Sequence, residues 1–489
     1  LSGQETIPTD TLEYARSKAY AKQFNEADSL LILFTANKND LNAMRFHAQV
    51  LYWMKEFGRA EEVYEKILVA FPDAAIVKLD YGRFLFEVNK RGKAEEFLRN
   101  YLIGDSLNAE ANIILGYIEW WKGNSAAAKK RMTRLLEIYP ENKQIADLMS
   151  EVSYESSPYI KAGIQYLSDD QPINNTGYEI EAGWHRSWIF SPRLNLKINQ
   201  FQFNNVNDHS LWFQVGDKIT VGNSGMTLQI AGGIFQPTGT DSTEYTGSIL
   251  LTQKISPVFF LDLGYEKKPY QYTIASIKNP LLENFYTVAL RLDRSGKWLG
   301  KAAYEGQNFD NGGNIQTVYA WLLFPLVSKK SFDLKAGYAF SYSNADKNTY
   351  IPSKPMSVII ASTSLYGQVS GVYDPYFSPN RQFINSLLAS VTIKFSEQVQ
   401  FSARTSIGVY ARADNPYIYL DKNPGNAFFI NKVYSTEQYT PVQFVSELQV
   451  NSNRRFSLNV SYTYDKLLFY SSNLLALGMK YHFNNDKRK

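Results

Sequence analysis

No cysteine occurs anywhere in the chain, and histidine occurs only four times. Thiolate catalysis, Cys-ligated zinc and Cys-ligated iron–sulfur clusters are thereby excluded, and no disulfide framework is available. A charge of one sign is missing as well. The 51 Lys and Arg residues stand against 47 Asp and Glu, a net of +4, which leaves no electrostatic footprint for nucleic acid. No window approaches the roughly 18 consecutive apolar residues of a transmembrane helix. The first residues, "LSGQETIPTD", lack the basic and apolar regions of a signal peptide, so the chain is expected to be cytosolic or to have lost its signal. Catalytic patterns are equally scarce. No HExxH, Walker or GxGxxG motif sits in a strand–turn–helix context, and His47, His185, His209 and His482 are scattered over different elements. Asp169 and Asp170 in "LSDDQP" are adjacent in a loop and point apart, a poor arrangement for paired acid/base work. No catalytic residue, metal site or cofactor is assigned, and the protein is expected not to be an enzyme. An enzyme reading would have to rest on His185, for which spacing offers no Ser partner.

What the sequence does have is length and aromatics. Its 489 residues call for two or three folding units, and 34 Tyr residues need a place to sit. The first 150 residues repeat. "FNEA" at Phe24, "FGRA" at Phe57, "RGKA" at Arg91 and "GNSA" at Gly123 place Ala27, Ala60, Ala94 and Ala126 at spacings of 33, 34 and 32. "ILVAFPDA" around Pro72 matches "LLEIYPEN" around Pro140, 68 residues later. A period near 34 resembles the helix–turn–helix tetratricopeptide repeat. The small alanines let antiparallel helices approach, Gly or Asn at the turn tolerates positive φ, and the prolines stop the second helix. One hairpin cannot bury its own apolar face, so the units must stack. The aromatic stripes, Tyr64, Phe71, Tyr81, Trp120 and Trp121, are expected in the core.

After Pro158 the period changes to two. "SFDLKAGYAFSYSN" puts Phe332, Leu334, Ala336, Tyr338, Phe340 and Tyr342 opposite Asp333, Lys335, Gly337 and Ser341. "RFSLNVSYTYDK" and "FFLDLGYE" alternate in the same way. Such strands are longer than the soluble mode of about five to six residues, and their second face is charged, so a membrane barrel accommodates them better than a sandwich. The tyrosines then form interfacial girdles. About sixteen strands can be counted. Tight turns such as "SPR" at Ser191, "GNSG" at Gly222, "DRSGK" at Asp293 and "NSNR" at Asn451 alternate with longer links, Tyr270 to Glu283, Ala345 to Gln382 and Ala413 to Gln438. The fold class expected is therefore α plus all-β: helical repeats, then an antiparallel transmembrane barrel. The boundaries are a flexible N-terminus over 1–10, a repeat domain over 11–152, a linker over 153–158, the barrel over 159–483 and a periplasmic tail, "NNDKRK", over 484–489.

This combination resembles the exopolysaccharide exporters of Gram-negative bacteria, of the cellulose (BcsC-like), poly-N-acetylglucosamine (PgaA-like) and YaiO types. "YFSPN" at Tyr376 to Asn380 is similar to the G-Y-Y/F-S-P segment of the cellulose type. "SPYIKAGIQYLSDDQP" looks like the first barrel strand of the YaiO type, and "LLALGMKYHF" looks like a terminal insertion strand. Four repeats is a short array for that family. The resemblance implies the bacterial outer membrane, with its lipid around the barrel and the repeats in the periplasm. It also implies a periplasmic protein partner on those repeats and a polysaccharide conducted by the lumen, with no nucleic acid. The alternative is a plugged barrel whose repeats dock a periplasmic or outer-membrane assembly.

Two groups of residues carry these expectations. Inward positions include Glu179, Glu181, Asp262, Glu266, Arg291, Lys335, Arg404, Glu447 and Asp465, a mixture of signs that suits a neutral glycan or serves only to solvate and brace the interior. In "GVYDPYFSPNRQ", Tyr373, Tyr376 and Phe377 are suited to stacking on sugar rings or to packing the loop on the rim. Arg381 is expected to pair with Asp374 or with a lumen acid, and whether the loop gates the pore or closes it stays open.

Overall fold

The computed structural model describes residues 11–203, 206–221, 225–237, 242–293, 297–453, 455–468 and 470–483. The expected N-terminus over 1–10 and the tail over 484–489 lie outside these residues, as do parts of the turns at Gly222, Asp293 and Asn451. The chain divides into two units, residues 1–153 and 154–489.

The first unit is four helix pairs and a closing helix: α1 (Thr11–Tyr20), α2 (Phe24–Asn37), α3 (Leu41–Trp53), α4 (Phe57–Ala70), α5 (Ala75–Glu87), α6 (Arg91–Leu102), α7 (Ala109–Trp121), α8 (Ser125–Ile138) and α9 (Lys143–Glu155). These are tetratricopeptide-type repeats, the class of scaffold that serves protein interactions. The within-pair turns hold positive φ at Lys22, Lys55, Asn89 and Gly123, so the same left-handed position is filled by lysine twice and by glycine once. Ala27, Ala60 and Ala94 are fully buried at their helix crossings, and the fourth equivalent is Ala128, which keeps the period at 34; Ala126 is exposed. The motif "GNSA" is thus two residues out of register, because α8 begins at Ser125 where α6 begins at Arg91. Tyr64 and Tyr81 stack in the core, whereas Trp121 is exposed and lies flat on Phe86, 5.5 Å between centroids, with the Arg91 guanidinium over the Trp121 ring at 4.3 Å. An acid near the start of the second helix ties successive pairs: Asp28 meets His47 at 2.7 Å, and Glu61 and Glu95 meet Lys90 and Lys122. Helix α9 runs through Glu155, so half of the expected 153–158 linker is helical.

The second unit is a closed barrel. Its wall runs β1 (Tyr159–Asp169), β2 (Asn174–Gly183), β3 (Arg193–Phe203), β4 (Val206–Val221), β5 (Met226–Pro237), β6 (Glu244–Lys254), β7 (Phe259–Tyr270), β8 (Leu281–Asp293), β9 (Leu299–Phe309), β10 (Asn314–Ser328) and β11 (Phe332–Ala345). It continues through β15 (Gln382–Lys394), β16 (Val399–Lys422), β18 (Val442–Asn453), β19 (Phe456–Lys466) and β20 (Ser471–His482). Each strand pairs antiparallel with the next, and β20 closes on β1 from Tyr159↔His482 to Asp169↔Ser472, which makes sixteen strands. Closure leaves no edge and satisfies every wall strand on both sides, the condition for crossing hydrocarbon with β-structure.

Alternation decides the faces. Ile164 and Tyr166 on β1, Val288 and Leu290 on β8, Leu387 on β15, and Leu475, Leu477 and Met479 on β20 are all exposed on the outer surface. An apolar band of this kind around a closed sheet is the lipid face of an outer-membrane-type barrel. Gly337 illustrates how tightly the wall is wound: a Cβ there would stand 1.9 Å from the Leu322 carbonyl oxygen.

The long links are structured. Residues 271–280 contain α10 (Ile274–Lys278), and 346–381 contain β12 (Tyr350–Pro352), α11 (Met356–Ser362), β13 (Gln368–Val369) and β14 (Gly371–Tyr373). The expected loop from Ala413 to Gln438 is instead a hairpin: β16 is 24 residues long in all, and its second half, from Ala411 to Lys422, pairs with β17 (Phe428–Tyr439) beyond the wall. At the opposite end, the turn expected at Ser191 is a connection spanning 184–192.

Candidate functional site: lumen wall and mouth

The side chains opposite the lipid face line the lumen, and the alternation of the strands puts all nine charged candidates there. Most are engaged. Asp262 accepts from Arg291 Nη2 at 3.1 Å and from Thr252 Oγ1 at 2.7 Å. Glu266 stands 3.3 Å from Lys268, which also reaches the buried Glu283 at 3.6 Å. Glu179 accepts from Asn195 Nδ2 at 2.6 Å, Glu181 from Tyr159 Oη at 2.7 Å and Asp465 from Gln443 Nε2 at 2.7 Å. Glu447 accepts from Asn459, and Lys335 pairs with Asp333 two residues away on the same face. Arg404 lies opposite Ser390 and Val445 and makes no ion pair among the described residues. Ionic groups braced by neighbours in this way keep the wall polar without a strong field of either sign. Period-two counting along β8 and β9 would also have found Glu283, Lys301 and Glu305; Lys301 and Glu305 share the Tyr319 hydroxyl at 2.5 and 2.8 Å.

The mouth at the end away from the start of β1 is crossed by two segments. Residues 271–280 fold inward: Gln271 Nε2 donates to Ser210 Oγ at 3.0 Å, Asn199 donates to Gln271 Oε1 at 3.3 Å, and Gln171 donates to the Tyr272 carbonyl at 3.3 Å. Ile277 of α10 is buried with lumen-facing Phe201 and Phe203. Thr273 caps α10 and its hydroxyl donates to the Pro375 carbonyl at 2.6 Å, joining this segment to the second one. The second segment, 346–381, inserts Tyr376 among lumen-facing Tyr270, Leu281, Phe309 and Ile315. Tyr376 is 1% exposed and stacks on Phe309 at 3.9 Å with planes 7° apart. Its hydroxyl lies over Gly313, where a Cβ would stand 1.6 Å away. Burial pushes that hydroxyl's pKa up.

The other loop candidates fall around this anchor. Tyr373 packs edge-on against Tyr350 and Phe377, whose own amide donates to Tyr270 Oη at 3.2 Å. The Asp374 amide donates to Thr349 O at 3.1 Å. Arg381 pairs with neither Asp374 nor a candidate lumen acid; its partner is Asp414, on the projecting part of β16. The sequence pattern does not point to that partner, because Ala413 to Gln438 reads as loop. The segment is also tied to the hairpin by Lys432 Nζ donating to Asn348 Oδ1 at 2.8 Å and by the Tyr366 amide donating to Leu420 O at 2.8 Å.

No protein-family model matches the chain, and no curated protein matches it. Among solved structures it is similar to a "bacterial polysaccharide outer membrane secretin", at 9% identity over 67% of this chain and 99% of that one, with a TM-score of 0.47. It is similar to a tetratricopeptide repeat protein from Parabacteroides merdae, at 12% identity over 31% of this chain and 60% of that one, TM-score 0.29. It is also similar to pilF of Pseudomonas aeruginosa, at 20% identity over 32% and 71%, TM-score 0.28.

Two further histidines, His185 and His482, brace corners of the barrel. His185 Nδ1 lies 2.6 Å from Ser191 Oγ, a partner that spacing did not suggest, but that hydroxyl donates to the Ser187 carbonyl at 3.0 Å. Asp217 binds the Ser191 amide at 2.5 Å. His482 Nδ1 lies 3.1 Å from Ser157 Oγ where β20 meets the start of β1.

Proposed function

We propose that the protein is an outer-membrane conduit for export of a polysaccharide, with the mouth held shut in the conformation described. The observation that carries this reading is a sixteen-strand wall whose lumen face is polar and internally neutralised, under a mouth crossed by side-chain-anchored loops. Barrels of this strand number leave an aqueous channel, and a wall of hydroxyls, amides and paired ions passes a hydrated sugar chain without trapping it. In this reading the bacterial outer membrane surrounds the barrel, the short-turn end faces the periplasm, and the repeats in that compartment dock a protein of the synthesis machinery. Tyr373 and Phe377 serve the loop as packing residues, with Tyr376 as its anchor. Deleting the gene in a producing strain is expected to trap polymer in the periplasm; unchanged surface glycan would overturn the reading.

A second reading is favoured by the crossed mouth itself: a permanently plugged barrel that anchors the repeats for docking an assembly. It predicts a lumen that never conducts and a periplasmic protein that co-purifies with the repeats.

A further inference from the structure

The connection between β2 and β3 is long for its end of the barrel. Residues 184–192 are used there, where 222–225 join β4 to β5 and 255–258 join β6 to β7. Its side chains are equally unusual for a turn: Trp184, Trp188, Ile189 and Phe190 are all exposed, Ile189 at 52% and Phe190 at 50%. Yet the backbone beneath them is braced. The Trp184 amide donates to Pro192 O at 3.0 Å, the Arg186 amide to Phe190 O at 3.1 Å, and the Thr220 amide to Trp188 O at 2.6 Å, which sets the tip beside the end of β4. A patch of large apolar side chains on a fixed backbone marks an interaction surface.

Two charges accompany the patch. Trp184 follows Tyr178, Ile180 and Ala182 in the outward alternation of β2, and the Arg186 guanidinium lies over its ring at 5.0 Å, so this cation is on the lipid side. Asp217 is on that side too. It pairs with Ile230, and Ile230 with Ile249, both exposed members of the apolar band. Its Oδ1 accepts the Ser191 and Lys218 amides at 2.5 and 2.8 Å, and neither Asp217 nor Arg186 makes an ion pair among the described residues. Glu181, Arg193 and Lys218, on the same strand ends, face the lumen. From β1 to β6 and across this connection, the alternation turns no other Asp, Glu, Lys or Arg outward among the described residues. An ionisable group facing hydrocarbon is costly and marks a functional site by default.

We infer that residues 184–192 and Asp217 bind a zwitterionic phospholipid headgroup of the phosphoethanolamine type. The Arg186 guanidinium takes the phosphate, the Asp217 carboxylate takes the primary ammonium, and the exposed aromatic and aliphatic side chains take the glycerol and upper acyl region. The ligand follows from position and charge. The patch is continuous with the lipid face of the barrel, where aromatic rings settle at the interface, and one cation beside one acid matches a headgroup that carries both signs. Both contacts are charge-assisted, and the planar guanidinium suits phosphate. The site rests on the outer-membrane placement of the barrel and not on transport through it.

Native mass spectrometry of the full chain in detergent, titrated with phosphatidylethanolamine or phosphatidylglycerol, reads the first bound lipid. Phosphatidylethanolamine should bind at least about threefold more tightly. Asp217→Asn keeps an acceptor for the Ser191 amide and should remove that preference, whereas Arg186→Gln should weaken both lipids, since both carry a phosphate. Melting temperatures should stay at the parent value in both variants. A structural role for Asp217 alone would lower the melting temperature and leave the lipid preference in place, which would overturn the assignment. In vesicles of the two lipids, a nitroxide near the glycerol end of one acyl chain should quench Trp188, read as the difference between the parent and Trp188→Phe. An unquenched Trp188 in an inserted barrel, or equal binding of the two lipids, would also overturn it. A barrel that does not insert would refute the outer-membrane placement, whereas an inserted barrel without the preference refutes the headgroup site alone.

Discussion

Replacing Tyr376 by alanine should open the mouth without unfolding the barrel. The side chain is fully buried and makes a parallel stack on Phe309 with Tyr270, Leu281 and Ile315 around it. Truncating a buried aromatic to alanine costs about 3–5 kcal/mol. Because the residue belongs to 346–381 and not to the wall, that cost falls on docking of the segment. The open fraction should rise by roughly two to four orders of magnitude. Hydrogen exchange reads this directly, since amides that exchange through local opening report its free energy. The reporters are the amides of Ala345, Asp374 and Phe377, which donate to Pro379 O at 2.7 Å, Thr349 O at 3.1 Å and Tyr270 Oη at 3.2 Å. Gly313→Ala attacks the same contact from the other side, because the new methyl would overlap the Tyr376 hydroxyl, and should give the same exchange pattern. Tyr376→Phe keeps the stack and should stay near the parent. Unchanged protection of these amides in the alanine variant would refute the anchor role. Equal acceleration in the wall strands would also refute it, by making Tyr376 a residue of the global fold.

The remaining predictions concern the two units separately. In the repeats, burial lowers the His47 pKa from its ordinary 6.5 and outweighs the hydrogen bond to Asp28. The unfolded chain therefore takes up that proton first, and stability should decline as pH falls below about 6.5. Burial alone would raise the Glu61 and Glu95 carboxyls, but hydrogen bonds from Lys90 with Lys93, and from Lys122 with Arg99, hold both below the ordinary 4.5. Their contribution is present above 4.5 and is lost as pH falls through the lowered values, so acid acts in the same direction twice. Helical ellipticity of the intact chain should melt several degrees lower at pH 4.5 than at pH 7.5, and an acid-insensitive melt would contradict this. In the barrel, Leu477→Lys on the lipid face should cost about 2–4 kcal/mol in a urea titration, whereas Ser461→Lys on the lumen face should cost little. Equal costs would mean that the two faces are misassigned.

Much of this architecture could be read from local pattern. The recurrence of a small residue every 33 or 34 positions and the fixed turn position at Lys22, Lys55, Asn89 and Gly123 are short-range signals, and so is the alternation that set Asp262, Lys335 and Asp465 on the inner face. The slip at Ala126 shows the limit of motif matching, since burial of Ala128 depends on where α8 begins. What stayed hidden is non-local. Tyr376 is seated by strand ends far from it in sequence, Thr273 meets Pro375 across 102 positions, and Arg381 meets an acid on a hairpin whose polar residues read as loop.

The central claim is a conducting lumen closed by its own loops, and single-channel recording in planar bilayers tests it most directly. The full chain should be closed or only flicker, while a variant with residues 271–280 and 346–381 each replaced by a short Gly-Ser turn should show large, stable openings of porin size. A loop-deleted barrel that inserts and folds yet never conducts would contradict the account.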